Sequence, residues 1–283
     1  MPASLELGAG ALRLEDVARG ERIYGVNTGV GGNIGISLAP EQMEQMEQMQ
    51  ANLVRHLACG AGQPLRRDVV RAATLLRVAT FFPGTSAIRL ETVEALAELL
   101  NRGIAPVAPR YGSVGASGDL MPSAYIARVL AGMGEAEFQG RRMSAEEALR
   151  SAGMQPLRFA PKEALALINR TTLMAAVAAL LWVDARAVLR ALLGAVALSV
   201  EALEAPDLPF DAWVQERKGH PGQIAVAASC ANCWPGQSTS RHPAGSPVSP
   251  CDACPRAWDR RGTRWRKAAR WWSARSIRPM TTR

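Results

Sequence analysis

The 283-residue sequence is poor in the residue types on which several familiar chemistries depend. Aromatic residues make up 5% of it, and there are three histidines and five cysteines. Long apolar runs are absent too. The longest, Leu173 to Val183, has eleven residues and is followed by Asp184, Arg186 and Arg190, short of the ~20 that cross a bilayer. It is expected to be a buried helix, not a membrane span. The first twenty residues carry Glu6, Arg13, Glu15 and Asp16 and lack a basic leader ahead of an apolar stretch, so no secretory signal is expected and a cytoplasmic location is.

The net charge of +8 would suggest a nucleic-acid partner if it were spread over the chain, but eleven Lys+Arg and two Asp+Glu fall between Cys230 and Arg283, leaving 22 cations and 23 anions in the first 229 residues. The same tail holds four of the five cysteines and five of the seven tryptophans, and lacks Leu and Phe. That is too little aliphatic material for a core. Residues 256–278 could hold nucleic acid weakly through charge and stacking, yet such a partner is not expected. Cys230, Cys233, Cys251 and Cys254 form two Cys-x-x-Cys pairs separated by seventeen residues, a zinc-like spacing. Cys59, alone in the body, is read as a small buried residue.

What the body does have is helical periodicity. Residues 41–58 follow Pro40 and place Met43, Met46, Met49, Leu53 and Leu57 at spacings of three and four. Residues 67–82 read as a second helix stopped by Pro83-Gly84, and 90–101 as a third with Val93, Leu96, Leu99 and Leu100 inward and Gly103 as its stop. Residues 161–204 are Ala/Leu-rich and almost free of breakers, as core helices of a bundle are. Two Gly-rich stretches interrupt this pattern, 24–33 and 111–120. Neither ends in the Lys-Ser/Thr of a P-loop or has a dinucleotide site's flanking strand and acidic residue. They are either connectors or loops that let backbone approach a ligand.

Within the second stretch, Gly115-Ala116-Ser117-Gly118 can condense. The amide nitrogen of Gly118 reaches the carbonyl carbon of Ala116 because neither glycine has a Cβ in the way. Loss of one water closes a five-membered ring, and loss of a second from Ser117 leaves an exocyclic methylene, an electrophile made without an external cofactor.

Gly112-Ser-Val-Gly-Ala-Ser-Gly-Asp-Leu120 resembles the cofactor-forming segment of the aromatic amino acid ammonia-lyases and aminomutases. Four further segments resemble that family in order: Tyr24-Gly-Val-Asn-Thr-Gly29, Asn52-Leu-Val-Arg-His-Leu57, Lys162-Glu-Ala-Leu-Ala-Leu-Ile-Asn169 and His220-Pro-Gly-Gln223. Together they span roughly residues 12–229. The resemblance implies an all-α fold, an incomplete helical bundle of the aspartase/fumarase-like kind with Gly-rich N-terminal loops. It divides the chain into an N-terminal part (1–160) bearing the prosthetic group, the start of a central bundle (161–229) and the tail (230–283). It implies that Ala116, Ser117 and Gly118 become methylidene-imidazolone (MIO), with Asp119 at the start of the next helix. Tyr24 is then the base that removes a β-proton; a free phenol ionises only near pH ~10, so such a base needs hydrogen bonds or charges that support its anion. Asn169 lies near the ring and substrate, and His56-Leu57 faces the far end of the substrate side chain. A histidine there suits a phenolic hydroxyl, so tyrosine is the first expected substrate, with phenylalanine or histidine next. The implied reaction is elimination of ammonia to an α,β-unsaturated acid, or a 2,3-amino shift.

The sequence departs from the family's pattern at Arg170 and Ala87, where family members usually have Gly. The segment before Tyr24 is short, and the resemblance stops near Ala228-Ser229. The chain reads as truncated at both ends, without the family's carboxylate-binding Arg. Its tail is either an out-of-frame continuation or a zinc module on the four cysteines. A homotetramer is what the family implies for an intact enzyme. The rival reading is an inactive remnant whose tail binds zinc or nucleic acid.

Overall fold

A computed structural model describes residues 19, 21–39, 42–115, 118–203, 205 and 208–232. The chain divides into two compact units, residues 1–181 and 182–283.

In the first unit, α1 (Met43–Leu57) buries Met46, Gln50 and Val54 on one face, close to the expected stripe but with a glutamine in its middle. After β1 (Ala61–Pro64) comes α2 (Arg67–Ala79), which ends earlier than the Pro-Gly stop predicts. Thr80 Oγ1 donates to the Arg77 carbonyl at 2.8 Å, a local bond that competes with continued helix, and residues 80–83 turn. Helix α3 (Leu90–Asn101) ends as predicted at Gly103, which takes φ +76°. There Ile104 N–H bonds to Leu99 O and Gly103 N–H to Leu100 O, the pairing that closes a helix through a left-handed glycine.

Strands β2 (Ala105–Pro106) and β3 (Pro109–Tyr111) lead to α4 (Leu120–Leu130), then the hairpin β4 (Glu135–Phe138) and β5 (Arg141–Ser144), α5 (Ala145–Ser151) and α6 (Glu163–Ile168). Antiparallel β2-β4-β5 form one small sheet and β1-β3 another. The fold is mostly helical, as expected. Its short strands escape a reading based on periodicity because they are two to four residues long. Leu96, Leu99, Ile104, Leu130, Leu149 and Ile168 form the centre of one hydrophobic core.

The breaker-poor stretch 161–204, read as core helices of a bundle, forms two helices, α6 and α7 (Thr172–Ala202), separated at Asn169-Arg170-Thr171. The break is where another segment docks: Asp119 N–H donates to Arg170 O at 2.7 Å, and the Asp119 carboxylate accepts from Met174 N–H at 2.9 Å. A carboxylate at the first turn of a helix is favoured by the aligned peptide dipoles.

A correction concerns burial. Leu181, Trp182, Val183, Val188 and Leu192 of α7 are exposed, not buried. The stretch 163–202 is long and apolar enough to cross a membrane by length and composition, but an apolar surface of this sort is also what a bundle helix turns to neighbouring helices. Cys59, expected to be buried, is exposed in the turn between α1 and β1.

In the second unit, α8 (Ala212–Lys218) and α9 (Pro221–Ala231) pack together, with Gln223 Nε2 donating to Gln215 Oε1 at 2.6 Å. Asp211 caps α8 by accepting from Trp213 N–H, and Pro221 opens α9 where its missing N–H does no harm. Cys230 is buried at the end of α9; Cys233, Cys251, Cys254 and the basic segment 256–278 lie outside the described residues.

Candidate active site

The first Gly-rich stretch is a knitted loop. Asn27, buried, donates from Nδ2 to Glu21 O at 2.8 Å and accepts from Ile23 N–H at 2.8 Å. Thr28 Oγ1 accepts from Gly25 N–H, Gly29 N–H reaches Ile36 O, and Leu38 N–H reaches Asn27 O. Gly25 takes φ +71°, and a Cβ there would lie 2.5 Å from Leu165 Cδ2, so only glycine fits between this loop and α6. The loop thereby presents Tyr24, 42% exposed, whose phenolic oxygen accepts a hydrogen bond from Gly31 N–H at 3.0 Å.

The second stretch follows β3. Gly118 has φ +111°, and an added Cβ would stand 2.8 Å from Arg170 O and 3.0 Å from Arg170 N. The backbone at Gly118 is therefore pressed against the α6–α7 break, with the Asp119 carboxylate also within 3.4 Å of Ser113 Oγ. Ala116 and Ser117 themselves lie outside the described residues. What surrounds them fits the MIO precursor: Gly115 at φ +65° and Gly118 at φ +111° carry backbone angles that a side chain would resist, on either side of the serine that must be free to react.

Loop, α1, α4 and α6 together enclose a cavity of 540 Å³. Tyr24, His56, Leu57 and Asn169 all line it, as do Leu53, Leu120, Leu165 and Ile168. The four expected residues outside the triplet thus share one wall system although 145 positions separate the first from the last. Among the described residues no Asp, Glu, Lys or Arg lines the cavity. Asn169 closes the C-terminal end of α6 and is not inside a helix; its side chain has no hydrogen-bond partner among the described residues.

Two residues that hold this site were not singled out from sequence. Gln50 is 1% exposed, donates from Nε2 to Gly25 O at 3.1 Å and so ties the tyrosine loop to α1. Its signal was available, a polar residue on the apolar face between Met46 and Val54. Glu163, also 1% exposed, starts α6 and accepts bonds from Arg89 N–H, Nε and Nη2, from Thr92 Oγ1 and from Ala160 N–H. The Arg89 guanidinium is held above its ordinary pKa, first by the hydrogen bond to Glu163. This anchor fixes the helix whose other end carries Asn169.

A family model described as aromatic amino acid lyase matches residues 7–257, wider than the 12–229 spanned by the sequence motifs. The chain belongs to the aromatic amino acid lyase family. It is 45% identical over 213 residues to the histidine ammonia-lyase of Geobacillus kaustophilus (strain HTA426), covering 75% of this chain and 41% of that one. With the histidine ammonia-lyase of Streptococcus gordonii it shares 40% identity over 228 residues, 80% of this chain and 44% of that protein. Among solved structures it superposes on the Pantoea agglomerans phenylalanine aminomutase with TM-score 0.74 and 32% identity, over 83% of this chain and 47% of that one. The chain spans less than half the length of the curated relatives named here.

Proposed function

We propose that this site serves the elimination of ammonia from an aromatic L-amino acid, with MIO formed from Ala116, Ser117 and Gly118. The observation that carries this reading is the convergence of Tyr24, His56, Leu57 and Asn169 on one cavity beside the segment that ends in Gly118-Asp119. When formed, the ring supplies an electrophile toward amines. The chain's own residues do the rest. Tyr24 Oη, with the Gly31 amide directed at it, takes the β-proton of a substrate lying in the cavity. The apolar wall of Leu53, Leu57, Leu120, Leu165 and Ile168 takes the aromatic ring and keeps water from it. Asn169, whose side-chain oxygen and NH2 are both uncommitted among the described residues, holds the polar end of the substrate.

His56 supports tyrosine, because an imidazole at the cavity wall can bond a phenolic hydroxyl that phenylalanine lacks. Histidine is the second reading, favoured by the named relatives, which are histidine ammonia-lyases. A homotetramer is part of the same proposal, supported by the exposed apolar side chains of α7. Ultraviolet detection of an unsaturated acid from tyrosine, histidine and phenylalanine tests the activity and ranks the substrates. Intact mass tests the ring separately, with a deficit of two waters within 116–118 expected. A full-mass chain silent on all three substrates refutes the proposal.

A further inference from the structure

Away from the cavity, a buried positive charge on α2 is left without a counterpart among the described residues. Arg77 is 3% exposed, and among the described residues its Nε and Nη1 have no hydrogen-bond partner. Arg71 and Arg128 each leave one such nitrogen too, but Arg71 bonds to Leu100 O and the Arg128 guanidinium has Glu135 as a nearby counter-charge. Arg77 has a softer neighbour, the Phe81 ring, whose centroid is 4.7 Å from its guanidinium carbon.

A second guanidinium reaches the segment that follows this turn. Gly84 N–H bonds to Phe81 O at 2.9 Å, and two residues on, Ser86 Oγ accepts from Arg170 Nη2 at 3.2 Å. Among the described residues no carboxylate pairs with either arginine. Burial first, and the Arg170 charge second, push the Arg77 pKa down to about 9. Two cations against this turn and the segment after it, with donor N–H groups unused, are the arrangement an oxyanion relieves through charge-assisted bonds.

We propose that Arg77, Arg170 and the Ser86 hydroxyl form a binding site for a small oxyanion of the phosphate or carboxylate kind. The site is separate from the substrate cavity, whose lining includes none of the three. Arg170 is exposed and Arg77 is buried, so the site pairs one accessible charge with one held in the interior. An anion bound only by the folded chain stabilises it, saturably in its concentration.

The test is the melting temperature of the full chain titrated with phosphate and, separately, with acetate, each exchanged for chloride at constant ionic strength. A saturable rise is expected in at least one arm, and the arm that responds identifies a tetrahedral or a planar ligand. Arg77→Met should abolish that rise and melt higher than wild type in anion-free buffer, since it removes an unpaired buried charge. Arg170→Gly should weaken the apparent affinity about tenfold, the loss of one charge-assisted bond. A rise that never saturates and is equal in wild type and Arg77→Met is the general exclusion of such salts from protein surface, and overturns the proposal. So does the absence of any rise. Should Arg77→Met not fold, the surface substitution Arg170→Gly decides alone, and unchanged saturation overturns the site.

Discussion

Glu163→Gln isolates the charge of the anchor under α6 with little change of shape. In wild type, Oε1 accepts from Arg89 N–H, Arg89 Nε and Thr92 Oγ1, and Oε2 accepts from Arg89 Nη2 and Ala160 N–H. Every surrounding group in that set is a donor, so the amide nitrogen of a glutamine must face donors whichever way it turns. The milder orientation places it where Oε2 was, opposing Arg89 Nη2 and Ala160 N–H. Losing one charge-assisted and one neutral bond at a buried site costs about 3 kcal/mol. For a chain of this size that is a fall of roughly 6–12 °C in melting temperature. The assay is urea and thermal unfolding of wild type, Glu163→Gln and the control Thr92→Val, which removes a single neutral bond and should cost about 1 kcal/mol. The damage should also reach the cavity, because α6 carries Leu165, Ile168 and Asn169 into its wall. A Glu163→Gln chain within about 1 kcal/mol of wild type would refute the reasoning, since a carboxylate surrounded by donors cannot be exchanged so cheaply.

Four other outcomes follow from particular contacts. Ala87 sits at φ +47°, a left-handed conformation that costs an L-residue about 1–2 kcal/mol; after the extra unfolded-state freedom of glycine is set against it, Ala87→Gly should gain about 0.5–1 kcal/mol in urea melts, and any loss counts against the strain. Asp119→Ala removes the carboxylate from Met174 N–H and should leave soluble chain with a smaller fraction showing the two-water mass deficit; an undiminished fraction would separate that contact from ring formation. Tyr24→Phe should retain the mass deficit while slowing product formation by a factor of about 10²–10⁴, the range for a positioned proton acceptor, with an unchanged rate excluding the assigned role. The Glu135 carboxyl is held below its ordinary 4.5 by the Arg142 hydrogen bond across β4-β5. A depressed folded value means stability that is present above 4.5 and lost as pH falls through the folded value, so Glu135→Gln should flatten the acid side of the melting profile slightly.

The residues of the candidate site could be picked out because the motifs that carry them are local. A Gly-Ala-Ser-Gly stretch, a Tyr-Gly loop and a His-Leu pair each need only a few adjacent residues. Periodicity says nothing of the cavity; only the family resemblance put residues 24, 56 and 169 in one site, and the fold brings them to the wall of one cavity. The α6–α7 break shows why. Its sequence, Ile-Asn-Arg-Thr, lacks glycine and proline, and the interruption is imposed from outside by Asp119, whose N–H and carboxylate occupy the Arg170 carbonyl and the Met174 amide. The same segment presses Gly118 on Arg170. One contact therefore ends a helix, starts the next and fixes the backbone at Gly118. Arg170 can stand there because its backbone carries the contact while its side chain turns to Ser86. Ala87 is the opposite case, a position where the side chain costs something and the backbone needs a glycine's freedom. The two departures that look alike in sequence, each a residue in place of glycine, thus differ physically. Replacing Ala87 by glycine should stabilise the fold, whereas replacing Arg170 should leave the Asp119 contact intact and remove only a guanidinium.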